Sequence, residues 1–162
     1  MFKTKICEIL NIQYPIILGG MLWIGKSDLV AAVSEAGGLG LMGAGGMTIE
    51  EIDSECSNVK AKTKKPFGVN IPLVRPDSDE MINAAIKNGA SVIATSSGSP
   101  KKYTKMIQEQ GCRVIHVVAN VTFAKKSARH TPNSEPILNY VNLAPKSFWI
   151  KRKIACIKVH HI

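Results

Sequence analysis

YPIILGGMLWIGKSDLVAAVSEAGGLGLM, residues 14–42, holds one complete copy of the pattern that organises the chain. A short apolar run, Pro15 to Leu18, is followed by Gly19-Gly20 and a loop to Lys26. Ser27 then stands where a helix cap belongs, Leu29, Val33 and Ala36 recur at helical intervals, and Gly37-Gly38 supplies a left-handed stop. Leu39 to Met42 begins the next apolar run. This reads as strand, loop, helix, strand.

The same plan repeats downstream. Thr48 and Glu51 have the spacing of a capping box, and Ile49, Ile52, Cys56 and Val59 form a helical stripe that ends in Lys62 to Lys65. Phe67 to Ile71 is the third strand run. Asp77 with Glu80 repeats the capping spacing ahead of Ile82, Ala85 and Ile86, and Gly89 ends that helix. Ser91 to Thr95 is the fourth strand; Ser99-Pro100 opens a helix carrying Tyr103, Met106 and Ile107, which closes at Gly111. Arg113 to Val118 is the fifth strand, and Thr122 to Lys126 begins a fifth helix. The strand runs are continuously apolar, as in a parallel sheet covered on both faces. Periodicity predicts a parallel α/β fold and leaves open whether it closes as a (β/α) barrel or remains a doubly wound sheet.

After Lys126 the plan breaks. Residues 127–136 are polar and proline-bearing, and residues 127–162 contain no glycine. The net charge of +9 divides unevenly, +4 over residues 1–126 and +5 over 127–162, so the basic character belongs mainly to the tail. The expected organisation is a (β/α) unit series over 1–126 and a divergent basic tail over 127–162. Ile137 to Leu143 and Ile154 to Val159 are the tail's candidate strands or helical turns. With 162 residues the chain is shorter than the roughly 250 of a complete eight-unit barrel.

No run approaches the roughly 20 apolar residues of a membrane span, and residues 1–10 lack a signal-type apolar core, so a cytoplasmic protein is expected. Cys7, Cys56, Cys112 and Cys156 are too far apart for zinc or dithiol spacing and read as packing thiols. His116 lies inside the fifth apolar run and reads as a hydrogen-bonded core residue; His130, His160 and His161 fall in the tail. No metal site and no nucleic-acid partner are expected.

Ligands of parallel α/β folds bind at the loops after the strands' carboxyl ends. Three such loops carry suitable chemistry. Gly19-Gly20-Met21-Leu22-Trp23 lets a flat ring approach the backbone; Asn70 offers both a donor and an acceptor at a strand end; Thr95-Ser96-Ser97-Gly98-Ser99 brings hydroxyls to a helix N-terminus. Each has an ordinary explanation as a turn or a cap.

Taken together, Tyr14 to Met21, Ala31 to Gly40 and Lys65 to Ile71 resemble, in order and spacing, the nitronate monooxygenase (2-nitropropane dioxygenase) family and its close relative, the flavin-dependent enoyl-acyl-carrier-protein reductase. The resemblance covers most of residues 5–126. It implies a TIM-type (β/α) barrel holding FMN, and the length and the break after Lys126 lead to the expectation that the barrel is truncated after about five strands. It also implies that Gly20, Met21 and Leu22 contact the flavin through backbone, that Asn70 helps bind it, and that Thr95 lies near the isoalloxazine or substrate. The implied activity is oxidation of alkyl nitronates with O2, with enoyl-thioester reduction as the alternative. The fourth strand end, Ala94-Thr95-Ser96-Ser97-Gly98, departs from the Thr-Thr-Gly-Ala-Gly usual in the reductase. The family's catalytic His, in an Ala-Gly-His or Gly-Gly-His motif, and its later Gly-rich phosphate loops have no counterpart here, so FMN binding is expected to be weak or absent and no catalytic residue is assigned. A frameshift or premature stop would produce such a break, as would a genuine short family member. A third reading is a catalytically inactive half-barrel that forms homo-oligomers through its sheet edges.

Overall fold

A computed structural model describes residues 4–128 and 138–140. Its centre is one parallel five-stranded sheet, with strands in chain order: β1 (Gly40–Gly43), β2 (Phe67–Pro72), β3 (Val92–Ser96), β4 (Arg113–Val118) and β5 (Leu138–Tyr140). The connections carry α3 (Ile49–Lys62), α4 (Ser78–Lys87), α5 (Tyr103–Glu109) and α6 (Val121–Ala128). The helices α1 (Lys5–Leu10) and α2 (Ser27–Glu35) precede β1. Strands that pair in sequence order around one sheet are the barrel form of the βα alternation, not the doubly wound form, in which the order reverses at a switch point.

The two faces of the sheet bury different sets. Met42, Phe67, Val69, Ile71 and Ile93 pack beneath the helices with Ile52, Cys56, Val59, Met81, Ile82 and Ile107. On the inner face Leu41, Val92, Ala94 and Ile115 join Ile17 and Leu39, and α1 closes this cluster with Ile6, Cys7 and Leu10. Arg113 Nε donates to the Ile9 carbonyl at 3.3 Å, which places α1 at the amino ends of the strands. The opposite, carboxyl end is left to the loops.

Several expectations hold in detail. Thr48 and Glu51 form a complete capping box on α3, with Glu51 N donating to Thr48 Oγ1 and Thr48 N to Glu51 Oε2. Gly37, Gly89 and Gly111 all adopt positive φ after their helices. Fifth-strand limits of Arg113 to Val118 agree residue for residue.

Other expectations are corrected. The run Pro15 to Leu18 is not a full strand: it makes one parallel bridge, Ile17 to Leu39, with Leu18 N donating to the Leu39 carbonyl and Leu39 N to that of Ile16. Ser27 is not the cap of α2 but its first residue, and its amide donates to Glu55 Oε2 of α3 at 2.8 Å. A carboxylate from a neighbouring helix does the work of a local hydroxyl, with the favourable dipole of a helix N-terminus. Asp77 makes no side-chain cap on α4 because Arg75 occupies its carboxylate. Ser99-Pro100 opens a turn, and α5 begins only at Tyr103.

The helix expected from Thr122 is α6, which runs through Lys126 to Ala128. The tail supplies β5, parallel to β4 with His116 opposite Leu138. The sheet thus has five strands, though not the five expected: Leu138–Tyr140 stands in place of Pro15 to Leu18. Ile154 to Val159, with His130, His160 and His161, lie outside the described residues. No helix among the described residues is long and apolar enough to cross a membrane.

Candidate functional site

The loop after the Ile17 bridge lies across the carboxyl ends of β1 and β2. Met21 makes a parallel bridge to Met42, Gly25 N donates to the Met21 carbonyl at 2.8 Å, and Gly43 N donates to that of Gly25 at 3.1 Å. The loop is therefore fastened to β1 at both ends. Its approach to β2 is closer still: a β-carbon at Gly20 would stand 2.5 Å from Asn70 Cβ and 3.1 Å from its Nδ2. Only a glycine lets the backbone lie on the Asn70 side chain in this way.

Asn70 is in register with Gly43 on one side and Ala94 on the other. Its Oδ1 is buried and has no hydrogen-bond partner among the described residues. A buried amide oxygen without a donor costs about 1–3 kcal/mol, and such groups are rare in native folds. An orphaned acceptor beside a backbone that approaches unusually closely is what a site for a flat, donor-bearing ligand requires. The sequence-predicted residues Gly20, Met21 and Asn70 are thus brought together. Leu22 continues the loop with its side chain exposed.

Thr95 is placed differently from the expectation. It is in register with Ile71 and His116, one residue out of step with Asn70, and so belongs to the helix-side face. A step of one residue along a strand reverses the face. Thr95 is 0% exposed, and its Oγ1 lies 2.7 Å from His116 Nδ1. The inner-face residues of β3 near Asn70 are Ala94 and Ser96. The pairing of Thr95 with His116 was not legible in sequence, because Val92 to Thr95 are buried without alternation.

His116 is half-buried and hydrogen-bonded, as expected of a core histidine. Burial pushes its pKa below the ordinary value, against backbone hydrogen bonds at Thr95 and Gly98 that pull it up, so the neutral imidazole is favoured. Among the described residues no cysteine is exposed at this face. Cys7, Cys56 and Cys112 are buried, and burial, with Asp53 and Glu55 nearby, pushes the Cys56 thiol up to about 12. Among the described residues no three His, Cys, Asp or Glu side chains group as a metal site.

Residues 3–135 match the nitronate monooxygenase family. The chain belongs to that family. The sequence is 32% identical over 126 residues to a Mycobacterium tuberculosis protein named (3aS,4S,5R,7aS)-5-hydroxy-7a-methyl-1-oxo-octahydro-1H-indene-4-carboxyl-CoA dehydrogenase, covering 78% of this chain and 36% of that protein. It is 44% identical over 70 residues to a probable nitronate monooxygenase of Staphylococcus haemolyticus, covering 43% of this chain and 20% of that one. In structure it is similar to FabK from Thermotoga maritima, with a TM-score of 0.78 and 40% identity, covering 82% of this chain and 43% of FabK. Nitroalkane oxidase from Streptomyces ansochromogenes shares the fold at a TM-score of 0.69 and 20% identity, over 75% of this chain and 45% of that one. The matched part of the chain thus covers less than half the length of each of these proteins.

Proposed function

We propose that this carboxyl face is the flavin-binding face of an FMN-dependent oxidoreductase that oxidises alkyl nitronates with O2. The observation that supports the reading most strongly is the buried, unpartnered Oδ1 of Asn70 beneath the Gly20 backbone. An isoalloxazine has a ring N–H that can donate to such an oxygen and a planar body that can lie on a glycine backbone. The residues present fit the group. Gly20, Met21 and Leu22 would meet the ring through backbone, and Asn70 through its amide. Thr95 contributes from the opposite face by fixing β3 against β4, and Ala94 and Ser96 are the nearer neighbours. Bound flavin would supply the electron acceptor; the chain's own residues would orient the ring and exclude water from one side of it.

A second reading, reduction of an enoyl thioester on the same face, draws support from the 40% identity to FabK. The relative named as a carboxyl-CoA dehydrogenase also points to thioester substrates. Consumption of O2 on addition of an alkyl nitronate favours the first reading, and oxidation of a reduced nicotinamide with an enoyl thioester favours the second.

Titration of FMN by fluorescence quenching tests the flavin face itself. Weak but saturable binding is expected. Asn70→Ala should weaken it by about tenfold, the worth of one buried hydrogen bond to a ligand. His116→Ala should leave the affinity unchanged, since that ring lies on the other side of the sheet. Equal losses in the two variants would show that the face has been assigned wrongly.

A further inference from the structure

The loop that lies on Asn70 has a brace, and the brace comes from the exit of the same strand. Arg75 follows β2 and makes three hydrogen bonds with its guanidinium: Nε to Asp77 Oδ1 at 2.8 Å, Nη2 to Asp77 Oδ2 at 2.5 Å, and Nη1 to the Gly45 carbonyl at 3.1 Å. The first two form a bidentate pair, which fixes the plane of the guanidinium and aims Nη1 at its target. The geometry is maintained from behind. Ser78 Oγ donates to the carbonyls of Arg75 and Pro72, at 2.6 and 3.2 Å, so the backbone that carries the arginine is itself tied down.

Gly45 belongs to the 3-10 turn Ala44–Gly46 that leaves β1. Against this turn rest the side chains that follow Gly20 and Met21. A β-carbon at Gly46 would stand 3.1 Å from Leu22 Cδ1 and 3.1 Å from Cζ2 of the Trp23 indole. Trp23 needs such support. It has a φ of 66°, a conformation costly for a bulky aromatic, and is 66% exposed, so little other packing holds it. A contiguous chain of contacts therefore runs from Asp77 through Arg75 and the Gly45 carbonyl to Leu22 and Trp23, and so to Gly20 on Asn70. Asp77 stands at the N-cap of α4 and makes no capping bond, its carboxylate being committed to the arginine.

We propose that Arg75 is a positioning residue that holds the glycine turn after β1 in place and thereby sets the shape of the Gly20 to Trp23 loop at the flavin face. Its functional meaning rests on the flavin reading above; its structural content does not. Its guanidinium hydrogen bonds go to Asp77 and Gly45, and it acts through the Gly45 carbonyl. Arginine suits the task because two of its nitrogens are anchored while a third reaches across to another loop, a division that the single ammonium of a lysine does not reproduce.

Amide hydrogen exchange on the ligand-free 162-residue chain tests this. The reporters are Met47, whose amide donates to Ala44, Gly25, which donates to Met21, and Gly43, which donates to Gly25. Arg75→Gln should speed their exchange on the order of tenfold, the factor one charge-assisted hydrogen bond supplies, while amides of α3 and β3 keep their rates. Arg75→Lys, which retains a cationic donor for Gly45, should fall between the two. If Arg75→Gln does not fold, the comparison of Arg75→Lys with the wild type carries the test alone. Unchanged reporter rates in whichever variants fold would overturn the proposal, and so would uniform acceleration across α3 and β3, which indicates general destabilisation. Failure of the wild-type chain to bind FMN would count against the flavin reading and leave the exchange result standing.

Discussion

Gly40→Ala is expected to cost about 3 kcal/mol or more, the upper end of what overpacking a well-filled interior imposes. A β-carbon there would stand 2.1 Å from the Val30 carbonyl oxygen and 2.8 Å from its carbon. Both atoms belong to the backbone of α2, so no side-chain rotation relieves the contact. The helix is held from both directions: Gly40 N donates to Ser34 Oγ at 3.1 Å, and Glu55 receives the Ser27 amide at the other end. Because small domains are stable by only about 5–15 kcal/mol, the variant should show a much lower urea midpoint or fail to fold. Gly19→Ala, whose β-carbon meets nothing within 4 Å, should move the midpoint little. Equal midpoints for Gly40→Ala and the wild type would mean that α2 does not seat on β1 as described.

Gly20→Ala should abolish flavin binding, with a loss of at least tenfold, and lower stability by about 1–3 kcal/mol. The added methyl meets the Cβ of Asn70, which is fixed by the β2 backbone and cannot swing aside. The loop must lift from β2, taking with it the surface on which the ring would lie. Because the two positions are in contact, their effects should not add. Asn70→Gly in the same chain removes the obstructing atoms and should restore stability to Gly20→Ala without restoring FMN affinity. A fluorescence titration alongside urea unfolding reads both quantities. Full FMN binding by Gly20→Ala alone would show that the loop's contact with Asn70 has no part in the site.

Much of the scaffold was legible because local chemistry dictated it. Thr48 and Glu51 needed only each other to form their box, and Gly37, Gly89 and Gly111 ended helices by a property of their own backbones. What sequence misjudged was settled by partners distant in the chain. Ser27 lost its capping role to Glu55, 28 residues on, and Asp77 lost its own to Arg75. Pro15 to Leu18 has the composition of a strand but only one bridge to Leu39, because the loop that follows turns at once across β1 and β2. For the site, Gly20 and Asn70 could be chosen from the loops where they fall. Nothing local gave their contact, and the face of β3 to which Thr95 belongs could not be read because a continuously buried strand carries no alternation that shows parity.

In the proposed site the Asn70 amide meets the flavin. Its side-chain NH2 resonances report this directly: in a 15N–1H spectrum they are the pair missing from Asn70→Ala. Titration of the wild-type chain with FMN should shift that pair progressively and to saturation, together with the amides of Gly20 and Met21. Saturable shifts elsewhere, with the Asn70 pair and Gly20 unmoved, would place the flavin away from this face.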